Sequence, residues 1–204
     1  MICVKTAVFG QLENNCYLLT DDASGKSALV DCTDASDKMI DFIGHANLEY
    51  IFLTHGHFDH IGGVKEIKEK YGAKVVISNE DSGVLSSSKL SLAAFCGGVQ
   101  NKTEPDILVQ DGDVITLGET AVTVLATPGH TKGGVCYMAE DVIFTGDTLF
   151  FCSCGRTDFP GGSFDEIKQS LNRIAAFDKN YRLCPGHNRA TTLDFEKQNN
   201  PYMR

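Results

Sequence analysis

Four side chains with an affinity for metal ions lie within six consecutive residues: His55, His57, Asp59 and His60, in the run Thr54-His55-Gly56-His57-Phe58-Asp59-His60. Three more follow at long intervals. His130 closes Thr127-Pro128-Gly129-His130, Asp147 closes Thr145-Gly146-Asp147, and His187 closes Pro185-Gly186-His187. The chain holds 6 histidines, so only His45 stands outside this set. Imidazole nitrogens suit zinc or iron, and a carboxylate can bridge two such ions. A single histidine would read as an ordinary core or loop residue. Five histidines and two aspartates at strand ends, most beside a glycine, read as a metal site.

The elements that must position them follow from periodicity. Short β-rich runs occupy 2–9, 15–20 and 27–31, separated by polar or glycine-containing turns. Met39, Ile40, Phe42 and Ile43 give 37–46 a helical spacing. A strand at 49–53 then ends abruptly in the histidine run, and a helix at 63–71 precedes a strand at 74–77. The stretch 80–98 reads as helical pieces joined by serines and glycines. In the second half, 113–117 and 121–126 form a hairpin around Gly118, with a further strand pair at 135–138 and 142–144. Ser163-Phe164-Asp165-Glu166 is a capping box. The helix that it opens should place Phe164, Ile167, Leu171 and Ile174 on one face. A last strand at 181–184 precedes a polar C-terminal helix. The rhythm of strand, helix and strand recurs in both halves, which predicts one domain over 1–204. Its glycines let the backbone turn sharply and bring ligands close to an ion at one sheet edge.

Composition sets the partners. Hydrophobic content of 42% and charged content of 22% are those of a globular protein with a real core. A formal net charge of -9, with no block of Lys or Arg, argues against nucleic acid. No apolar run approaches the roughly 20 residues of a membrane span, and the N-terminus does not read as a signal peptide. A cytoplasmic protein is expected. Of the 8 cysteines none forms a C-x-x-C pair, so free thiols are expected, with Cys3, Cys16, Cys32 and Cys136 as small core residues of apolar strands. Cys152 and Cys154 could be extra metal ligands, but loop or core thiols fit them better.

His55-x-His57-x-Asp59-His60, followed by His130, Asp147 and His187, resembles the metallo-β-lactamase superfamily over nearly the whole chain. Within it, Thr-Pro-Gly-His-Thr at 127–131 and Thr-Gly-Asp-Thr-Leu-Phe at 145–150 resemble glyoxalase II and its short bacterial relatives. The resemblance implies an α+β fold, a four-layer αβ/βα sandwich with two packed mixed β-sheets and helices on both outer faces. It also implies two divalent metal ions, zinc first, with iron or manganese as alternatives. His55, His57 and His130 would hold the first ion, Asp59, His60 and His187 the second, and Asp147 would bridge them. Two such cations against two carboxylates leave a net positive charge that lowers the pKa of a bridging water. Asp59 would orient the resulting hydroxide as a catalytic residue. With five histidines used as ligands, only His45 remains, at the end of the helix before the motif strand, so no obvious spare histidine is left to protonate a leaving group. Thiolates leave readily, having a conjugate-acid pKa of about 8.5, so a small-molecule acyl thioester is the favoured substrate.

Other members of the superfamily differ at named positions. Common class B β-lactamases carry Cys where Asp147 stands, and diiron oxygen and nitric oxide reductases carry Glu where His57 stands. In glyoxalase II a Cys-Gly-Lys matches Cys154-Gly155-Arg156, the Lys contacting the glutathione carboxylate, while its two tyrosine contacts align with Asp158 and Arg189. The C-terminal helical domain completing that glutathione site has no counterpart after His187. Arg156 could therefore bind a substrate carboxylate bidentately, or pair with Asp158 and fix the loop. Persulfide dioxygenases offer a second reading. Their Gly-Cys-Gly-Arg-Thr-Asp-Phe segment is similar to 153–159, and they use one iron on the equivalents of His55, His130 and Asp147. Pro160-Gly161-Gly162 and the complete second ligand set favour the hydrolase. A non-catalytic metal-binding module is a third reading.

Overall fold

The computed structural model describes residues 1–204. Its first half runs β1 (Ile2–Phe9), β2 (Asn14–Asp21), β3 (Lys26–Val30), α1 (Asp37–Ile43), β4 (Asn47–Phe52), α2 (Phe58–Ile61), α3 (Val64–Tyr71), β5 (Lys74–Ser78) and β6 (Ile107–Val109). Then come β7 (Val114–Leu117), β8 (Thr120–Ala126), β9 (Val135–Ala139), β10 (Val142–Gly146), β11 (Leu149–Phe150) and β12 (Ser153–Cys154). The chain closes with α4 (Phe164–Ala175), β13 (Arg182–Pro185), β14 (Thr191–Thr192) and α5 (Leu193–Asn199). The first sheet has the order β1-β2-β3-β4-β5-β6, antiparallel as far as β3 and parallel beyond it. The second has the order β14-β13-β10-β9-β8-β7, antiparallel except for the parallel β10–β13 pair.

Strand alternation explains the layering. In β4 and β5, Ile51, Val75 and Ile77 pack with Met39 and Ile43 of α1 and Val64 and Ile67 of α3. The alternate residues Tyr50, Phe52 and Val76 face the other way, onto Val124, Tyr137 and Phe144 of the second sheet. The far face of that sheet, with Leu125, Cys136, Ile143 and Leu183, is covered by Ile167, Leu171 and Ile174 of α4 and Leu193 of α5. The result is the expected four-layer αβ/βα sandwich. Helices of 7 or 8 residues such as α1 and α3 would not persist alone in water. Each buried Ile, Val or Met on them contributes about 1.5–3 kcal/mol, and this packing is what holds them.

Several sequence expectations need correction. α1 stops at Ile43, not 46, because Gly44 adopts φ 59 and its N–H caps Ile40 O. Phe164 is 54% exposed; it is the first residue after the Ser163 cap and falls off the stripe made by Ile167, Leu171 and Ile174. Cys3 is exposed, since β1 is an edge strand that turns Cys3 and Lys5 to solvent. Cys16, Cys32 and Cys136 are buried, and all eight thiols are free. Within 80–98 the helical pieces are two 3₁₀ turns, Ser82–Ser86 and Ala93–Cys96. α2, β6, β11, β12 and β14 were not legible as elements. No helix is long and apolar enough to cross a membrane.

Candidate metal centre

Both sheets deliver loops to one place. β4 runs into the His55–Asp59 segment, and the single turn of α2 sets Asp59 and His60 behind His57, with His60 N–H donating to His57 O at 2.9 Å. From the second sheet, β8, β10 and β13 lead to His130, Asp147 and His187. Gly186 N–H donates to Gly146 O at 2.8 Å, locking the last two loops together. A side chain at Gly186 would place its Cβ 2.4 Å from Asp147 Oδ1, so only glycine permits this approach. Gly146 has φ 46, the left-handed region, and sits against Thr54, where a Cβ would come within 2.4 Å of the hydroxyl.

All seven side chains named from the sequence converge. The ligating atoms of His55, His57 and His130 lie within 4.8 Å of one another, as do those of Asp59, His60 and His187. Asp147 spans the two trios. Its Oδ1 is 3.3 Å from His60 Nε2, and its Oδ2 is 3.5 Å from Nε2 of both His130 and His187.

Outer contacts fix which nitrogen each ring presents. His60 Nδ1–H donates to Asp31 Oδ2 at 2.8 Å, His130 Nδ1–H to Arg156 O at 2.7 Å, and His187 Nδ1–H to Leu12 O at 3.0 Å. Thr54 Oγ1 donates to Asp31 Oδ2 at 2.8 Å and so accepts from His55 Nδ1–H at 3.1 Å. Four rings therefore turn Nε2 inward, which is the usual effect of such outer partners. His57 differs: its Nδ1 faces the centre, 2.8 Å from His130 Nε2.

The electrostatics of the centre call for a cation. Burial, reinforced by neighbouring rings, pushes His55 well below the ordinary imidazole range and His57 down to about 3. For His60 burial also opposes the charge, but Asp147, Asp59 and Asp31 outweigh it and hold the ring well above that range. His187 is raised to about 9 against its burial by hydrogen bonds to Asp147 and Asp59. Burial likewise opposes ionisation of Asp59 and Asp147, yet the surrounding rings hold both below the usual carboxylate range. Two buried carboxylates thus draw positive charge to the centre. His55 Nε2 is buried with no hydrogen-bond partner, while His60 Nε2 and Asp147 Oδ1, also buried, face each other at 3.3 Å. Leaving such an atom unpaired costs about 1–3 kcal/mol, a cost that ligation removes. The donor set of nitrogens and carboxylate oxygens fits zinc, iron or manganese.

Three supporting residues were missed in the sequence. Asp31, at φ 57 just after β3, is 1% exposed and accepts from Thr54 N–H at 2.9 Å as well as from Thr54 Oγ1 and His60. Asp81 accepts from Gly56 N–H at 3.0 Å, Thr131 Oγ1 at 2.8 Å and Gly133 N–H at 2.9 Å, tying the His55–His57 turn to the His130 loop. Asn14 is fully buried, and its Nδ2 donates to Asp59 Oδ2 at 2.9 Å. The one signal for Asp31 was an aspartate closing an apolar strand; Asn14 gave none.

The centre opens into a cleft of about 730 Å³ whose walls include Leu12, Leu92, Phe95, Phe150 and Phe159. Arg156 stands at this cleft, but its Nε and Nη2 each donate to Asp158 at 2.6 Å, and its guanidinium lies 4.0 Å from the Phe159 ring centroid. Of the two options open for Arg156, the structure realises the loop pair. Arg189 stacks on Phe151 at 3.6 Å.

Known proteins are similar to this chain in sequence and fold. A hydroxyacylglutathione hydrolase of Haemophilus influenzae, GloC, is 32% identical over 199 residues, covering 94% of this chain and 93% of its own. The solved structure of BLEG-1, a B3 metallo-β-lactamase, superposes with a TM-score of 0.91 at 28% identity, covering 100% of this chain and 99% of that one. TTHA1623, solved in a di-iron-bound form, gives a TM-score of 0.86 at 29% identity, covering 98% and 100%. Residues 9–187 match the family model described as the metallo-β-lactamase superfamily. That span runs from the end of β1 to the last of the seven converging side chains, and the chain belongs to the metallo-β-lactamase superfamily.

Proposed function

We propose that the chain is a dinuclear metal-dependent hydrolase of acyl thioesters. One observation carries this reading: two ligand trios are joined by a third, His55, His60 and Asp147, and His55 Nε2 among them is buried with no hydrogen-bond partner. His55, His57 and His130 would hold one ion, Asp59, His60 and His187 the other, with Asp147 between them. When bound, such ions supply Lewis acidity and bring the pKa of a coordinated water near neutrality.

The chain's own residues do the rest. Asp59 accepts a hydrogen bond from the attacking water and orients it, while Asn14 holds the same carboxylate in place. A substrate lying against the apolar cleft wall would displace water from beside its carbonyl. Outside the cluster the cleft lining holds no His, Asp, Glu, Lys or Tyr to protonate a leaving group; Arg156 stays charged, and burial pushes the Cys154 thiol up. A leaving group that departs as an anion is therefore favoured, and thiolate is the best of the common ones. The Haemophilus relative, named for a glutathione thioester, supports the same class.

The test is a matched set of S-, O- and N-acyl substrates with zinc- or iron-loaded protein. Rates should fall from thioester to ester, with the amide near zero. Equal rates on thioester and amide would sink the reading. Oxygen uptake with a persulfide, a single metal per chain and no thioester hydrolysis would instead support the dioxygenase.

A further inference from the structure

The walls of the cleft say more about the substrate than the metal-binding cluster does. Its large side chains come from separate segments: Leu12 between β1 and β2, Leu92 and Phe95 from the stretch between β5 and β6, Phe150 from β11 and Phe159 from the loop before α4. Leu12 is 52% and Phe95 73% exposed. Exposed large apolar groups converging on one cleft mark a surface meant to be covered. Leu92 adds an independent sign. It adopts φ 66, a strained conformation for a branched residue, while its side chain is buried and lines the cleft. Such strain persists where the surrounding structure requires it.

Charge on these walls is scarce. Arg156 is the single Lys or Arg among the lining residues, and Asp158 already takes two of its N–H groups. A substrate with two or more carboxylates would find no cation in the cleft but Arg156, already engaged by Asp158, beside a cluster that holds Asp59 and Asp147.

We infer that the cleft selects thioesters with an apolar acyl chain, and that it does not recognise the thiol partner through its carboxylates. The inference rests on the thioester reading and assigns that site a substrate class. The acyl chain lies against Leu12, Leu92, Phe95 and Phe159. Hydrolysis then consumes one water, breaks the C–S bond, and yields a fatty-type carboxylic acid and a free thiol.

The experiment uses zinc-loaded full-length protein and two thiol partners, N-acetylcysteamine and glutathione, each acylated with two-, four- and eight-carbon chains. Full burial of one methylene multiplies affinity by about fourfold, so burying even two of the six that separate a two- from an eight-carbon chain gives more than tenfold. The expected kcat/KM therefore rises at least tenfold from two to eight carbons with either thiol, and Phe95→Ser and Leu12→Ser lower that ratio. Both positions are exposed, so these variants should fold. Arg156→Gln should change glutathione and N-acetylcysteamine esters alike. A flat chain-length profile would overturn the inference while leaving thioester hydrolysis intact. So would a tenfold preference for glutathione that Arg156→Gln abolishes. Loss of all thioester activity in loaded protein would overturn the proposed function itself, and this inference with it.

Discussion

At the residue scale, Asp59 and Asp147 have the same functional group but different surroundings. Asp147 Oδ1 approaches one trio's His60, and Oδ2 approaches rings of both trios. Asp59 belongs to one trio only and takes a donor from Asn14. Asp147→Ala should remove the negative charge between two cations, so metal content should fall from about two per chain to one or less. Asp59→Asn retains an oxygen ligand but loses the charge that orients the nucleophile. Its turnover should drop roughly 10²–10³-fold, with metal content only partly reduced. Measuring both quantities on both variants separates the roles; near-normal kcat in Asp59→Asn would refute the assignment. Asp31 invites a third substitution. Asp31→Ala strips an acceptor from Thr54 N–H, Thr54 Oγ1 and His60 Nδ1 together. Outer partners of this kind are worth about 10–100-fold in metal affinity, so competition with a chromophoric chelator should show a weakened second ion. An unchanged affinity would mean that Asp31 serves the backbone alone.

At the scale of elements, the ligand-bearing turns were legible because each combines a β-rich run with a glycine and a metal-binding side chain. Those turns have short-range logic. The supports do not: Asp31 is 29 residues from His60, and Asp81 is 50 from Thr131. Their aspartates look like ordinary strand ends or turn residues until the sheets are assembled. The stretch between β5 and β6 was opaque for another reason. Val84, Leu85, Leu92 and Ala93 are buried or half-buried, but Leu90, Phe95 and Val99 are exposed, so no period of 2 or 3.6 develops. Phe164 was misplaced because a helix's first turn is reached before its buried stripe begins. The β13–β10 junction offers an element-level test. Gly186→Ala would drive a Cβ to 2.4 Å from Asp147 Oδ1 and 2.7 Å from His60 Cε1. Far-ultraviolet circular dichroism should stay native-like while bound metal falls below one ion per chain. If Gly186→Ala still holds two ions, the close approach of these loops is not what sets the site.

On the scale of the whole molecule, the proposed ligands come from both sheets. His55, His57, Asp59 and His60 follow β4 of the first, and His130, Asp147 and His187 follow β8, β10 and β13 of the second. Ions held by this set would bind the folded chain and have no equivalent site in the unfolded one. Binding of that kind stabilises by RT ln(1 + [L]/Kd), about 2.7 kcal/mol per site at a hundredfold excess over Kd. For a chain of this length each kcal/mol moves Tm by roughly 2–4 °C. Stripping the protein with a chelator should therefore lower Tm by roughly 5–10 °C for each site emptied. Zinc returned after removal of the chelator should restore it. The sharper sign is concentration dependence: every tenfold increase in free metal above saturation should add about 1.4 kcal/mol per site, and Tm should keep climbing after activity has levelled off. Asp147→Ala, lacking the shared carboxylate, should lose most of this response. A Tm that ignores both chelator and metal would mean that the two sheets stand without the ions, and would overturn their placement between these loops.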